Sequence, residues 1–445
     1  MTGRRIGLVS LGLAALASRL LWALWAHPPQ ETVASDMAGY VERAQALAEQ
    51  GTWLFGGTAT LFPPGTHWIL AAGWWAGGAT GGATLWALLS AATPVLAWLL
   101  AEEVSPRRWM GPALGVLLLV WPPHLSLSGY FLSETPFTAL CLLATWLLAR
   151  TLRRGRGAGG AGVALAVAFL VRPQVALLGV LAALGPLRGR WGSVARLGLP
   201  GVLAAGLLVG MHHRSTGDLR LTGNASLNQA ISRCAALRLE FYPTRGSRDL
   251  AERGEPAPLT WWMEPPTLRE RAAAVPAHHP LAVRPVLGPG PVRIVGGIHD
   301  AELLERLASR CVQASGAAEQ VRAAVVRVGL LWWGRAPWPE STWSHATQEA
   351  AVVVAHALSR WVVLPLALVG TLQAARRRRE RPEGLLAPLH LAGLLAVAAW
   401  YFGSLRLRTW ADPYLLLLAL EAAADGWGAV RRWLSGPGGR AAPGS

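Results

Sequence analysis

Apolar runs long enough to cross a bilayer recur from one end of this chain to the other, at residues 6–26, 85–101, 136–149, 197–211, 350–372, 385–402 and 414–424 with their flanks. A backbone in hydrocarbon must satisfy its own amides, and runs of this length do so as helices. The chain is therefore expected to be an all-α polytopic membrane protein. Charged residues make up 15% of the sequence, against about 25% in ordinary soluble domains. Arg4 and Arg5 precede the first run and no small-residue cleavage site follows it, as in a retained first helix.

The formal net charge of +16 comes from arginine alone, since the chain has no lysine. With abundant Ala, Gly and Pro, that is the composition of a GC-rich, bacterial type of genome. The arginines gather in short loops between apolar runs, so they orient the chain in a membrane and do not suggest nucleic acid as a partner. Arg4/Arg5, Arg107/Arg108, Arg150 to Arg156, Arg188 to Arg196, Arg376 to Arg381 and Arg431/Arg432 mark the cytoplasmic side. The stretches between them alternate to the outside, provided that residues 66–101 cross once, as a short re-entrant or interfacial helix (67–75) followed by a full span. About ten crossings result, with both termini inside. The expected divisions are an N-terminal transmembrane catalytic module (1–211, with its first outer loop at 27–65), an extracytoplasmic segment (212–349), C-terminal transmembrane helices (350–434) and a disordered cytoplasmic tail (435–445).

Four arginines break the pattern. Arg172, Arg406 and Arg408 fall in short outer loops, and Arg19 lies inside the first run. An arginine in the bilayer costs about 2.5–3.5 kcal/mol on insertion scales, so it pairs with an acid, a phosphate or water, or snorkels to the interface. In the outer segment, Leu303, Leu307, Cys311, Val321, Val325 and Val328 recur at helical spacing and predict an amphipathic helix or helix pair. Cys234 and Cys311 share that segment; outside the cell they can form a disulfide, the alternative being two buried thiols. No internal repeat is seen. His212-His213, His278-His279 and His299-Asp300 lack metal-ligand spacing.

The outer loops hold the groups with chemistry in them. Ser35-Asp36 opens a predicted surface helix whose Met37, Tyr40, Val41, Ala44, Leu47 and Ala48 recur at three and four. Asp36 is either the cap of that helix or a carboxylate at the mouth of a site, and the two are compatible. Ser128 to Pro136, with Tyr130 and Glu134, lies at the outer junction of two spans; a first-turn acid followed by proline is also an ordinary helix start. Arg172-Pro173 forms a tight outer turn. Arg406 and Arg408, two apart before the last span, suit a phosphate, which guanidinium binds bidentately.

Asp36 after the first span, Pro63-Pro64-Gly65, Ser133-Glu134, Arg172-Pro173 and Arg406-x-Arg408-x4-Pro413 follow one another in an order and membrane placement that resembles the GT-C glycosyltransferases. The chain most resembles the branch of protein O-mannosyltransferases and aminoarabinose transferase, glycosyltransferase family 39. That resemblance implies a GT-C-like fold and transfer of a sugar from a polyprenyl-phosphate carrier to a lipid, glycan or protein acceptor outside the cytoplasmic membrane. It implies Asp36 as catalytic base and Glu134 as a second acid near it. Arg172, Arg406 and Arg408 would take the donor phosphate, and Tyr40, His67 and Tyr130 would touch substrate. Two departures matter. The chain has Asp36-Met37 where many relatives have Asp-Glu, and His67 where some carry lysine near the re-entrant segment. No cofactor is required by this reading, and a divalent cation stays open. Two alternatives stand beside it: a transporter or flippase of lipid-linked sugar, and an inactive membrane scaffold.

Overall fold

The computed structural model of the chain describes residues 2–33, 36–51, 62–234, 240–243, 259–262, 283–284, 292–294, 301–334 and 346–434. Ser35, His278, His279, His299, Asp300 and the 435–445 tail lie outside them. The membrane body is helical, as the apolar runs require. It comprises α1 (Thr2–Leu21), α2 (Asp36–Gln50), α3 (Gly65–Val104), α4 (Met110–Val120), α5 (Pro122–Leu127), α6 (Glu134–Arg154), α7 (Ala158–Val171), α8 (Ala176–Leu184) and α9 (Trp191–Thr216). After α10 (Asn224–Cys234) and α11 (Ala301–Trp333), α12 (Ala346–Leu358) runs through a π segment into α13 (Leu364–Arg376). The chain then forms α14 (Leu386–Trp400), α15 (Leu405–Thr409) and α16 (Asp412–Leu434).

Among the described residues, six helices are long and apolar enough to cross a membrane, where the arginine pattern predicts about ten crossings. The difference lies partly in α4, α7 and α8, which are apolar but short. The 11 residues of α4 span about 16 Å of a hydrocarbon core about 30 Å thick. The expected short helix ahead of a full-length one is present within α3. Gly77 and Gly78 break the helix there, Gly78 at a φ of 58°. The arm before the break folds back so closely that a Cβ on Gly73 would lie 2.9 Å from the Cα of Gly82.

The core is one apolar cluster shared by most of the helices, with Leu114, Leu142, Leu148, Leu394 and Leu415 inside it. Small residues let backbones approach, as membrane packing favours. A Cβ on Gly370 of α13 would sit 2.2 Å from the carbonyl oxygen of Leu418 in α16. Large apolar side chains of α1 and α9, among them Ile6, Val9, Leu13, Val202 and Leu203, point outward. Water would penalise that arrangement, and hydrocarbon accepts it. Arg19 is fully buried, and donates to the carbonyls of Leu118 and Leu119. Those are among the last carbonyls of α4, which the helix leaves without partners. Arg19 thus serves the fold.

The arginine loops meet at one pole. Arg4 pairs with Glu102, Arg154 with Glu103 at 2.7 Å, and Arg107 with Glu421 and with Asp425 at 2.5 Å. Arg377 reaches Asp425 at 2.9 Å. Beyond the opposite ends of the helices, α10 and α11 form a hairpin joined by a disulfide between Cys234 and Cys311, and Cys141 is a buried free thiol. Arg327 of α11 donates to the carbonyls of Ser232 and Ala399, docking the hairpin on the end of α14. A four-stranded antiparallel sheet completes this outer segment. Its strands are β1 (Glu240–Pro243), β2 (Leu259–Trp262), β3 (Val283–Arg284) and β4 (Val292–Ile294), in the order β1-β2-β4-β3. The predicted apolar stripe of α11 is not continuous. Cys311 is buried but Val321 and Val325 are exposed, because Gly316, at a φ of 75°, breaks the helix and turns its second half.

Candidate active site

Four local features bring the outer charges together. Pro173 disfavours helical backbone in the residue before it, so α7 stops at Val171 and Arg172 turns out in an extended conformation. Glu134 opens α6, where an acid interacts favourably with the positive helix end. Ser404 caps α15 by accepting from the Leu407 amide at 3.1 Å, which starts a helix only five residues long. Pro63-Pro64-Gly65 brings the next strand of chain close. A Cβ on Gly65 would lie 2.6 Å from the Leu170 backbone, so glycine is what allows α3 to begin against the end of α7.

The result is a chain of four alternating charges. Arg172 donates to the Ser133 hydroxyl at 2.9 Å and pairs with Glu134 at 2.6 Å. Glu134 also accepts from Arg406 at 2.5 Å, and the other side of the Arg406 guanidinium meets Asp36 at 2.9 Å. The side chain of Glu134 is fully buried, while those of Arg172, Arg406 and Asp36 are 16%, 22% and 35% exposed. The cluster therefore has a sealed floor at Glu134 and an open rim at Asp36. Burial disfavours the Arg406 charge, but Glu134 and Asp36 more than offset that and hold its pKa above the ordinary value. Tyr40, one turn along α2 from Asp36, is buried within reach of the same four charges. Burial, with the Asp36 carboxylate, pushes its phenol up to about 12 against the opposing effect of Arg172 and Arg406. It is thus a protonated donor at neutral pH.

α2 lies over this floor with Met37, Tyr40 and Ala44 packed on Leu70, Trp86 and Phe131, the surface helix its periodicity predicts. The other expected contacts sit farther off. Tyr130 packs its ring on His27 at 4.8 Å, and His27 also meets the Gly129 carbonyl at 3.1 Å. Those contacts tie the first outer loop to the α5–α6 junction. His67 is buried, and its charged neighbour is Arg43 rather than a member of the cluster.

Arg408 is a correction. It is completely buried and faces the core, where it meets Asp412 at 3.1 Å, His356 at 2.7 Å and the Leu331 carbonyl at 3.3 Å. Residues two apart on a helix point about 200° away from each other. An extended loop would have aimed both arginines at one phosphate; α15 aims only Arg406. Asp412 in turn accepts from Trp121 at 2.9 Å. This buried network anchors the short helix that presents Arg406, and the (i, i+4) spacing of Arg408 and Asp412 was its one signal in the sequence. Ser133, which fixes Arg172, was visible only as the neighbour of Glu134.

Asp36 and Glu134 lie on opposite sides of the Arg406 guanidinium. A guanidinium occupies the space between the two carboxylates, and the described residues contain no group of three or more His, Cys, Asp or Glu that could hold an ion.

No protein-family model matches the chain, and no curated protein sequence does. Among solved structures it is similar to the apo oligosaccharyltransferase of Archaeoglobus fulgidus, with 13% identity and a TM-score of 0.46, covering 98% of this chain and 52% of that one. It is also similar to ArnT of Cupriavidus metallidurans, with 15% identity and a TM-score of 0.39, in the apo state (95% and 77% covered) and bound to undecaprenyl phosphate (97% and 80% covered). These neighbours are glycosyltransferases of the GT-C superfamily. The chain spans about half the length of the oligosaccharyltransferase. With every TM-score below 0.5, roles for its residues rest on its own geometry.

Proposed function

We propose that the chain is an integral-membrane glycosyltransferase that moves a sugar from a polyprenyl-phosphate donor to an acceptor hydroxyl or amine on the extracytoplasmic face. The observation that carries this reading is the meeting of Asp36 and Arg406 at 2.9 Å, at the pole opposite the arginine loops. A phosphate leaving group needs a fixed cation, and the attacking acceptor needs a base. Both are present and touch each other.

In the ligand-free site Arg406 holds Asp36. Donor phosphate competes for the same guanidinium, and its arrival releases the carboxylate at the open rim. The acceptor then attacks the anomeric carbon as its proton passes to Asp36, and the bond from that carbon to the phosphate oxygen breaks. The electron pair leaves with the phosphate, which Arg406 and Arg172 neutralise. One base and one direct displacement give inversion at the anomeric carbon. General-base assistance contributes roughly 10²–10⁴-fold, and each preorganised donor to the departing anion about 2.7–4 kcal/mol. Glu134, sealed beneath both guanidiniums, holds them in place and is not a proton carrier. Tyr40 supplies a neutral hydrogen-bond donor between base and phosphate.

The test is transfer from radiolabelled polyprenyl-phosphate sugars by the purified protein in lipid. Asp36→Asn is expected to lower turnover by roughly 10²–10⁴-fold while donor binding persists. Turnover near that of the parent would remove Asp36 as the base. Movement of intact donor between leaflets without release of sugar would establish a transporter instead.

A further inference from the structure

A second polar recess lies at the arginine pole, between α13 and α16. Its volume is about 390 Å³, within the range of small-molecule sites. Arg107, Arg376 and Arg377 line it against a single carboxylate, Asp425. Arg107 and Arg377 are engaged by Asp425, whereas Arg376 makes no ion pair among the described residues. Gln373 and Arg377 also border a second, more apolar crevice that runs inward along Val104, Pro106, Ala387, Leu417 and Leu418. Where recess and crevice meet, the Gln373 amide oxygen and one oxygen of Glu421 are buried with no hydrogen-bond partner. Buried acceptors of this kind are costly unless something donates to them.

These features specify a ligand with an anionic group for the arginines and hydroxyl donors beside it for the two acceptors; the crevice itself, at about 60 Å³, has no room for an acyl chain. We infer that this recess binds a phosphoglycerol lipid from the surrounding leaflet, phosphodiester on Arg376 and Arg377, glycerol hydroxyls on Gln373 and Glu421, with the acyl chains remaining in the leaflet beside the exposed Leu368 and Leu372 of α13. Across recess and crevice, Arg107, Arg376, Arg377 and Arg381 stand against Asp425 and Glu421, and this excess of positive charge favours an anionic headgroup over a zwitterionic one. Basic recesses between transmembrane helices at a cytoplasmic interface bind lipid phosphates for the same reason. The site shares no residue with the Asp36 cluster, and nothing in it depends on the transfer reaction.

The experiment uses the full chain, purified and stripped of lipid in detergent. Phosphatidylglycerol, phosphatidylcholine and soluble glycerol 3-phosphate are added in turn, and occupancy is read by native mass spectrometry. Phosphatidylglycerol should bind saturably at about one per chain, at least tenfold tighter than phosphatidylcholine, which lacks both the net charge and the donors. Arg376→Ala and Gln373→Leu should each weaken it about tenfold, the loss of one good hydrogen bond to the headgroup. Arg376 is exposed and Gln373 half-buried, and an unchanged thermal midpoint of the lipid-free variants checks that they fold. Equal affinity for the two lipids, or unchanged affinity in both variants, would overturn the inference. Glycerol 3-phosphate binding as tightly as the lipid would also overturn it, in favour of a site for a soluble phosphate.

Discussion

The two poles of this molecule are built from the same two partners, arginine and carboxylate, and use them in opposite ways. At the arginine pole the outermost arginines are open to solvent: the side chains of Arg4 and Arg154 are 55% and 58% exposed, while their partners Glu102 and Glu103 are 21% and 7% exposed. Surface pairs of this kind contribute about 0–1 kcal/mol, and their work is orientation. At the outer pole, Glu134 is fully buried under two guanidiniums, and Arg408 with Asp412 is buried beside it. Charges taken out of water are tolerated only when their hydrogen bonds are nearly all satisfied. The outer cluster is also balanced, with Asp36 and Glu134 against Arg172 and Arg406, while the inner pole carries an excess of positive charge. A neutral, desolvated cluster with one open rim is a place where an incoming anion changes everything; an exposed cationic surface is not.

The comparison breaks most decisively at Glu134. Glu134→Ala leaves two guanidiniums facing each other in a dry pocket, and removing one partner of a buried pair costs about 3–5 kcal/mol. A fall in the thermal midpoint together with complete loss of transfer is expected. Glu134→Gln should retain more of the fold than of the activity, because the amide still accepts one hydrogen bond but no longer balances the charges. A Glu134→Ala protein as stable as the parent would mean that the outer cluster is no more cohesive than the inner one.

Arg406 and Arg408 sharpen the contrast within five residues. Arg408→Ala should lower stability by about 3–5 kcal/mol, since Asp412 is left buried and unpaired. Arg406→Ala should be milder for the fold and harsher for the donor. It removes one cationic donor from the phosphate, an effect on the order of 1.5–3 kcal/mol in donor affinity, read by donor titration on the inserted protein. The two variants thus exchange rank between a melting curve and a binding curve. If both acted alike in both measurements, α15 would not be separating the two guanidiniums.

How much of this could be read beforehand follows from which physical rules are local. Transmembrane runs, the surface helix at Asp36 and the gathering of arginine loops at one pole depend on composition and period, and all three are present. That Asp36 and Arg406 lie on one membrane face was expected from loop order; their direct ion pair was not. Arg408 was grouped with Arg406 because both fall in a short outer loop of the sequence, and the cap at Ser404 winds residues 405–409 into a helix that turns the two apart. Val321 and Val325 failed for a related reason: periodicity carries across Gly316 in the sequence and not in space. The disulfide joins residues separated by 77 positions, so shared compartment made it possible on paper and only folding could choose it. Span count was the weakest inference, because α4, α7 and α8 are apolar enough for a membrane but too short to cross it alone.

The disulfide gives the next smaller effect. It links α10 to α11, and α11 supplies the Leu331 carbonyl that receives Arg408 and the Arg327 that holds the end of α14. Cys234→Ser should cost about 2–4 kcal/mol, the usual range for removal of a native disulfide. Its signature should be a lower thermal midpoint under oxidising conditions that no longer responds to reductant. A parent protein indifferent to reductant would show that the hairpin is held by its hydrogen bonds alone.

The smallest effect is expected where the pairs look most numerous. Arg4→Ala removes an ion pair with Glu102 that is more than half exposed on the arginine side, so the loss should stay within about 1 kcal/mol and shrink further in salt. Transfer should be unchanged, because Arg4 shares no contact with Asp36, Glu134, Arg172 or Arg406. The informative measurement is salt dependence of the melting point in parent and variant. Convergence of the two curves at high ionic strength means that the inner pairs act as screened surface charges, as their exposure requires. Persistence of the difference would mean that Glu102 is desolvated more deeply than its exposure implies, and the sharp division between an orienting pole and a reacting pole would have to be redrawn around α1.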